Sequence, residues 1–129
     1  MIAPGPVFSL EPTGTGAVAW LENPTPVIVE SAPTQSSSQR IPLPGAVSEF
    51  ATDGARWYWR DDRTGVVLAV AGATATPSEL TKPVADATAN NGDGRHILVD
   101  QNQVFWADRT GPIASQPEVN VLRMLRLAP

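Results

Sequence analysis

There is no cysteine among the 129 residues, and only one histidine, His96, and one lysine, Lys82. Without cysteine, neither a disulfide framework nor a thiolate metal site is available. A lone imidazole cannot build a multi-histidine metal centre, and a zinc site would have to recruit its remaining ligands from carboxylates. Charge is sparse: 17% of residues are charged, and 9 basic against 13 acidic side chains give a net charge of -4. That balance lacks the clustered basic surface that nucleic acid requires, so no nucleic-acid partner is expected. No apolar run approaches the roughly 18 residues of a membrane span, so no membrane insertion is expected. The opening Met1-Ile2-Ala3-Pro4-Gly5-Pro6 has neither the basic start nor the apolar stretch of a signal peptide, and the compartment stays open. Catalytic signatures are missing too. There is no Gly-x-Ser-x-Gly elbow and no phosphate-cradling Gly-x-x-x-x-Gly-Lys, and Lys82 follows Leu80-Thr81 instead. We therefore expect no catalytic residue, no metal and no cofactor, and a chain that is not an enzyme on its own.

What is present is 42% apolar residues, too many for a disordered acidic tail, with 13 prolines and 10 glycines as punctuation. The length is that of one domain, 1–129, burying roughly two thirds of the surface its unfolded chain exposes. Inside it a pattern recurs. Ala17-Val18-Ala19-Trp20, Arg56-Trp57-Tyr58-Trp59 and Gln103-Val104-Phe105-Trp106 set three tryptophans 39 and 47 residues apart, on average a third of the chain. Arg60–Leu68 follows Trp59 as Leu21–Val29 follows Trp20, without a gap, and Ala107–Ile113 follows Trp106 with one deletion. Phe50-Ala51-Thr52-Asp53-Gly54 matches Ile97-Leu98-Val99-Asp100-Gln101 upstream. Each copy alternates apolar and β-branched residues between turn residues such as Asp53-Gly54, Thr64-Gly65 and Asp100-Gln101-Asn102, which predicts short strands joined by turns.

The predicted strands are Pro6–Glu11, Gly16–Glu22, Pro26–Ser31 and Gln39–Leu43 in the first copy, and Val47–Thr52, Arg56–Arg60, Gly65–Ala71 and Glu79–Lys82 in the second. The third has His96–Asp100, Gln103–Ala107, Gly111–Ser115 and a closing strand Val119–Leu127. The polar stretch Pro33–Ser38 and the segment Ala85–Gly94 read as loops. Repeat boundaries fall at about 6–45, 46–84 and 95–129.

Tyr58-Trp59-Arg60-Asp61 and Phe105-Trp106-Ala107-Asp108 resemble the Tyr-Trp-Thr-Asp signature of the β-propellers in low-density-lipoprotein-type receptors. They are still more similar to bacterial relatives whose blades read Asp-Gly-x-x-Val-Tyr-Trp-x-Asp-x-x-x-Gly-x-Ile. The resemblance covers copies two and three; copy one keeps Trp20 and an acid, Glu22. It implies an all-β fold of about three four-stranded antiparallel blades, a partial β-propeller, with a β-sandwich as the alternative. It also implies framework roles for Trp20, Tyr58, Trp59, Asp61, Phe105, Trp106 and Asp108: the aromatic pair packs between blades and the Asp ties a turn. Eight arginines against one lysine, with abundant Ala, Gly, Pro and Val, fit a GC-rich bacterial or phage genome.

Propellers close with four to eight blades, and three would leave two apolar blade faces open. Three outcomes follow: two copies pair about a twofold axis into a six-bladed ring, another protein covers the faces, or the chain is a segment of a longer propeller. The function expected is thus a protein-interaction or assembly module, partnered by itself or by another protein. The alternative is a carbohydrate-binding, lectin-like propeller. Its platform would be Trp57, which replaces a valine in both other copies, flanked by Arg56 and Arg60. Strand geometry puts Trp57 and Trp59 on one face and Tyr58 on the other, so inter-blade core is the competing assignment. A propeller-based hydrolase or lyase is the remaining alternative, and it needs His96 beside two carboxylates. Asp61, Asp62, Arg63, Asp108 and Arg109 read as solvated turn residues after the aromatic strand. Asn90-Asn91-Gly92-Asp93-Gly94 with Asp86 and Asp100 lacks the spacing of a calcium loop and reads as a glycine-rich turn.

Overall fold

The computed structural model describes residues 7–14, 16–34, 38–82, 97–110 and 119–127, with the backbone alone at 7–9, 107–110 and 119–121. All regular structure among these residues is β, in three antiparallel sheets. Sheet 1 holds β1 (Val7–Pro12), β2 (Val18–Glu22), β3 (Val27–Ser31) and β4 (Gln39–Pro42). Sheet 2 holds β5 (Phe50–Thr52), β6 (Trp57–Arg60), β7 (Val67–Val70) and β8 (Ser78–Glu79). Sheet 3 holds β9 (Ile97–Asp100), β10 (Gln103–Thr110) and β11 (Val119–Arg126). Within each sheet consecutive strands are neighbours, as expected of β-branched and aromatic segments joined by tight turns.

Register decides which way each side chain looks, because paired residues share a face and successive ones alternate. We call the face toward the next sheet in the chain forward and the other rear. The row Leu21–Ile28–Ile41, with Ala19, forms the forward face of sheet 1. It shares one core with the rear face of sheet 2, made of Phe50, Trp57, Trp59, Leu68 and Val70. The forward face of sheet 2, Ala51, Tyr58, Val67 and Ala69, shares a second core with the rear face of sheet 3. There Ile97, Val104, Trp106 and Leu127 are buried, and Val99 and Leu125 pack beside them. Sheet 2 is therefore the middle layer, and every residue of β6 and β7 is buried. Such full burial matches their unbroken runs, Trp57-Tyr58-Trp59-Arg60 and Val67-Leu68-Ala69-Val70, which do not alternate with polar residues as a half-solvated strand does.

The joint between sheets 1 and 2 is bonded rather than merely packed. Asp62 N donates to Ala46 O at 2.8 Å, Ala46 N donates to Asp61 Oδ1 at 3.4 Å, and Asn23 Nδ2 donates to Val47 O at 3.3 Å. These bonds engage Ala46 and Val47, so β5 starts at Phe50, not at Val47 as the sequence suggests. Gly45 makes the crossing tight: its φ is +88°, and a Cβ there would sit 2.7 Å from Asp61 Oδ2.

Three further expectations shift. The fourth strand of sheet 2 is Ser78–Glu79, not Glu79–Lys82, because Leu80 N donates to Val67 O and Thr81 Oγ1 accepts from Val67 N, closing the sheet with a turn. In copy three β10 runs on to Thr110, so Asp108 and Arg109 belong to a strand and not to a turn. Val119–Arg126 then pairs with β10 residue for residue and takes the third position of its sheet, not a closing fourth. Long pairing is favoured there because Val119, Val121 and Leu122 are strand formers set opposite Thr110, Asp108 and Ala107. The expected strand Gly111–Ser115 and loop Ala85–Gly94 lie outside the described residues, as do residues 35–37 of the Pro33–Ser38 loop.

Candidate functional site

The aromatic strand β6 is framework. Trp57 is 6% exposed and faces sheet 1, with its ring centroid 5.9 Å from that of Phe50. A ring enclosed in this way offers no open platform for a sugar. Arg56 stacks its guanidinium over Tyr58, 5.4 Å from the ring centre, not over either tryptophan. The Arg60 side chain is 4% exposed, with Nη1 3.8 Å from Asp62 Oδ1. The three residues of the expected ligand platform are thus not brought to one surface: Trp57 points rearward, while Arg60 shares the forward face of sheet 2 with Tyr58.

At the β5–β6 turn Asp53 Oδ1 accepts from Ala55 N at 2.9 Å and Arg56 N at 2.7 Å, and Oδ2 accepts from Tyr58 Oη at 2.8 Å. Burial pushes the Asp53 carboxyl upward, but the hydrogen bonds from Arg56, Ala55 and Tyr58 outweigh it and hold the group below the usual aspartate value. The same burial, reinforced by the bond to Asp53, pushes the Tyr58 phenol up to about 12. This is a neutral phenol locked onto a charged carboxylate. In the following turn Asp61 Oδ1 accepts from Arg63 N at 2.9 Å as well as from Ala46 N.

An open cleft of about 370 Å³ lies beside that turn, lined by Pro44, Asp61, Thr64, Pro77 and Glu79 among others. Of its two acids, Asp61 is held at Oδ1 by two backbone amides. The described residues contain no group of three or more potential metal-ligating His, Asp or Glu side chains. His96 and the Asp86–Gly94 calcium candidate lie outside the described residues, as does the side chain of Asp108; Asp100 is exposed.

Among the described residues, no sheet packs on the outward face at either end of the stack. On the forward face of sheet 3 the row Leu98–Phe105–Met124 crosses all three strands, with Leu122 beside it. Leu98 is 62%, Leu122 75% and Met124 51% exposed, and Phe105 is half-buried. On the rear face of sheet 1, Val18 is 40% exposed and Trp20 half-buried, in a row with buried Val29 and exposed Arg40. Glu22 is fixed there. Its Oε1 accepts from Arg40 Nη2 at 2.7 Å and its Oε2 from Trp20 Nε1 at 3.1 Å, and the Arg40 bond leads in holding its carboxyl below the usual glutamate value.

No signal in the sequence marks Leu98, Leu122 or Met124 as exposed, because nothing in an apolar alternation says which face will lack a neighbour. The Glu22–Arg40 pair, 18 residues apart and across three strands, left no local signal. No protein-family model matches the chain, and no curated protein matches it.

Proposed function

We propose that the chain is a non-enzymatic assembly module of β-propeller type, three blade-like sheets long, which works by docking the open ends of its stack against protein. The observation that carries this reading is the forward face of sheet 3. It sets four large apolar residues, Leu98, Phe105, Leu122 and Met124, side by side on a surface with no neighbour among the described residues. A contiguous apolar patch of that kind marks an interaction surface on a soluble protein. The blade reading is supported by the consecutive strand order of each sheet and by a middle sheet buried on both faces.

The test combines solution mass with binding of an apolar-surface dye, for the wild type and for Leu98→Asp/Leu122→Asp. The reading expects one of two results. Either the wild type exceeds its chain mass of 13.7 kDa and the variant returns to it, or a 13.7 kDa wild type binds dye and the variant does not. A folded wild type of 13.7 kDa that binds no dye overturns the reading.

A further inference from the structure

The three sheets follow one pattern of register, face for face. In β2, β6 and β10 the tryptophans Trp20, Trp59 and Trp106 all look rearward, together with the residue two before each: Val18, Trp57 and Val104. The residue just before each tryptophan, Ala19, Tyr58 or Phe105, looks forward. Each interface inside the chain therefore holds one such forward residue and one rear pair in a single core.

The sizes at these positions compensate. At the first interface a small forward residue, Ala19, shares the core with two large rear ones, Trp57 and Trp59. At the second a large forward residue, Tyr58, shares the core with a smaller rear pair, Val104 and Trp106. Protein interiors fill to near-crystalline density, so a larger group on one side needs a smaller one opposite. Of the two outward faces, that of sheet 3 carries Phe105 and that of sheet 1 carries Val18 with half-buried Trp20, beside buried Val29 and the Glu22–Arg40 pair. That is an aromatic residue against a valine–tryptophan pair, the combination already used between sheets 2 and 3.

We infer that the ends of the chain are complementary to each other, and that the occupant of the sheet 3 face is the rear face of sheet 1 from a second copy. This inference rests on the blade reading above and names the partner it leaves open. The contact continues the series of forward-to-rear interfaces already present within one chain. A chain cannot bring its own first and third sheets together across its middle one, so the contact is intermolecular. Two copies bring six sheets together, within the four to eight that close a ring; one copy falls short and three overshoot. With two copies the same end-to-end contact forms twice, about a twofold axis.

Because the chain has no cysteine, introduced thiols report without background. Val18→Cys and Leu98→Cys both sit at exposed positions, where folding does not depend on the native side chain. A short bismaleimide is expected to link the two single variants when they are mixed and to link neither alone, and to stop at two chains in the double variant. Self-linking of Leu98→Cys alone, or a ladder beyond two chains, overturns the inference. So does a dye-binding 13.7 kDa wild type, which leaves the assembly reading standing and assigns the face to a different protein.

A second test uses the size rule itself. Val18→Trp overfills the contact and is expected to weaken association by about tenfold or more. Adding Phe105→Ala recreates the first internal combination and is expected to restore it. If Phe105→Ala weakens the Val18→Trp protein further, the two residues do not face each other and the inference fails.

Discussion

Asp53 does three things at once: it closes a turn, accepts from a phenol, and sits near the Arg56 guanidinium that covers that phenol's ring. Tyr58 pairs with it only while protonated. Since the Tyr58 value rises in the fold from 10.0 to about 12, its contribution is complete below pH 10 and is lost as pH climbs through about 12. Tyr58→Phe is expected to cost about 1 kcal/mol near neutrality and to flatten the fall in stability between those two pH values, as measured by urea unfolding at each pH. An unchanged alkaline fall in the variant would assign that dependence to another group. At this scale the sequence was partly legible. Asp53-Gly54 announces a turn because Asp and Gly have local reasons to be there, and Gly54 adopts φ +88°. The Glu22–Arg40 pair was not legible, because it depends on three strands first being set side by side.

Between elements, the crossing from sheet 1 to sheet 2 is the tightest joint, and Gly45 is its critical residue. An alanine there would hold a left-handed backbone conformation, costing roughly 1–2 kcal/mol, and would also press its Cβ on Asp61. Gly45→Ala is expected to destabilise the protein by about 2–3 kcal/mol in all. In an Asp61→Ala background the steric part disappears and the loss should shrink to the backbone part, which a double-mutant cycle of denaturant midpoints reads directly. Equal losses in both backgrounds would mean that the carboxylate does not crowd the glycine. The strands themselves were the most readable level, since apolar alternation and turn residues locate them within a few positions. Pairing order was less so. Val119–Leu127 carries apolar residues at both parities, so its pattern fixes neither its place in sheet 3 nor that Leu125 turns inward while Leu122 and Met124 turn out.

Across the whole molecule, burial is graded: among the described residues the two outer sheets each have one face in a core shared with a neighbouring sheet, and the middle sheet has two. The all-β character was legible from composition and turns, and Trp57 shows where such reading stops. As the odd residue of its repeat it looks like a binding feature, and in the fold it is buried in the core between sheets 1 and 2, against Phe50. The grading also sets the order in which the backbone gives up its protons to solvent. Amides of Trp57–Arg60 and Val67–Val70 cannot meet water until a neighbouring sheet departs, so they should exchange with deuterium only through global unfolding. Sheet 3 can loosen locally, and its amides should exchange sooner in dilute protein. If raising the concentration slows β9 and β11 toward the rate of β6, the outermost sheet has become an inner one. Uniform exchange across all three sheets at every concentration would mean that the stack opens as a single cooperative unit.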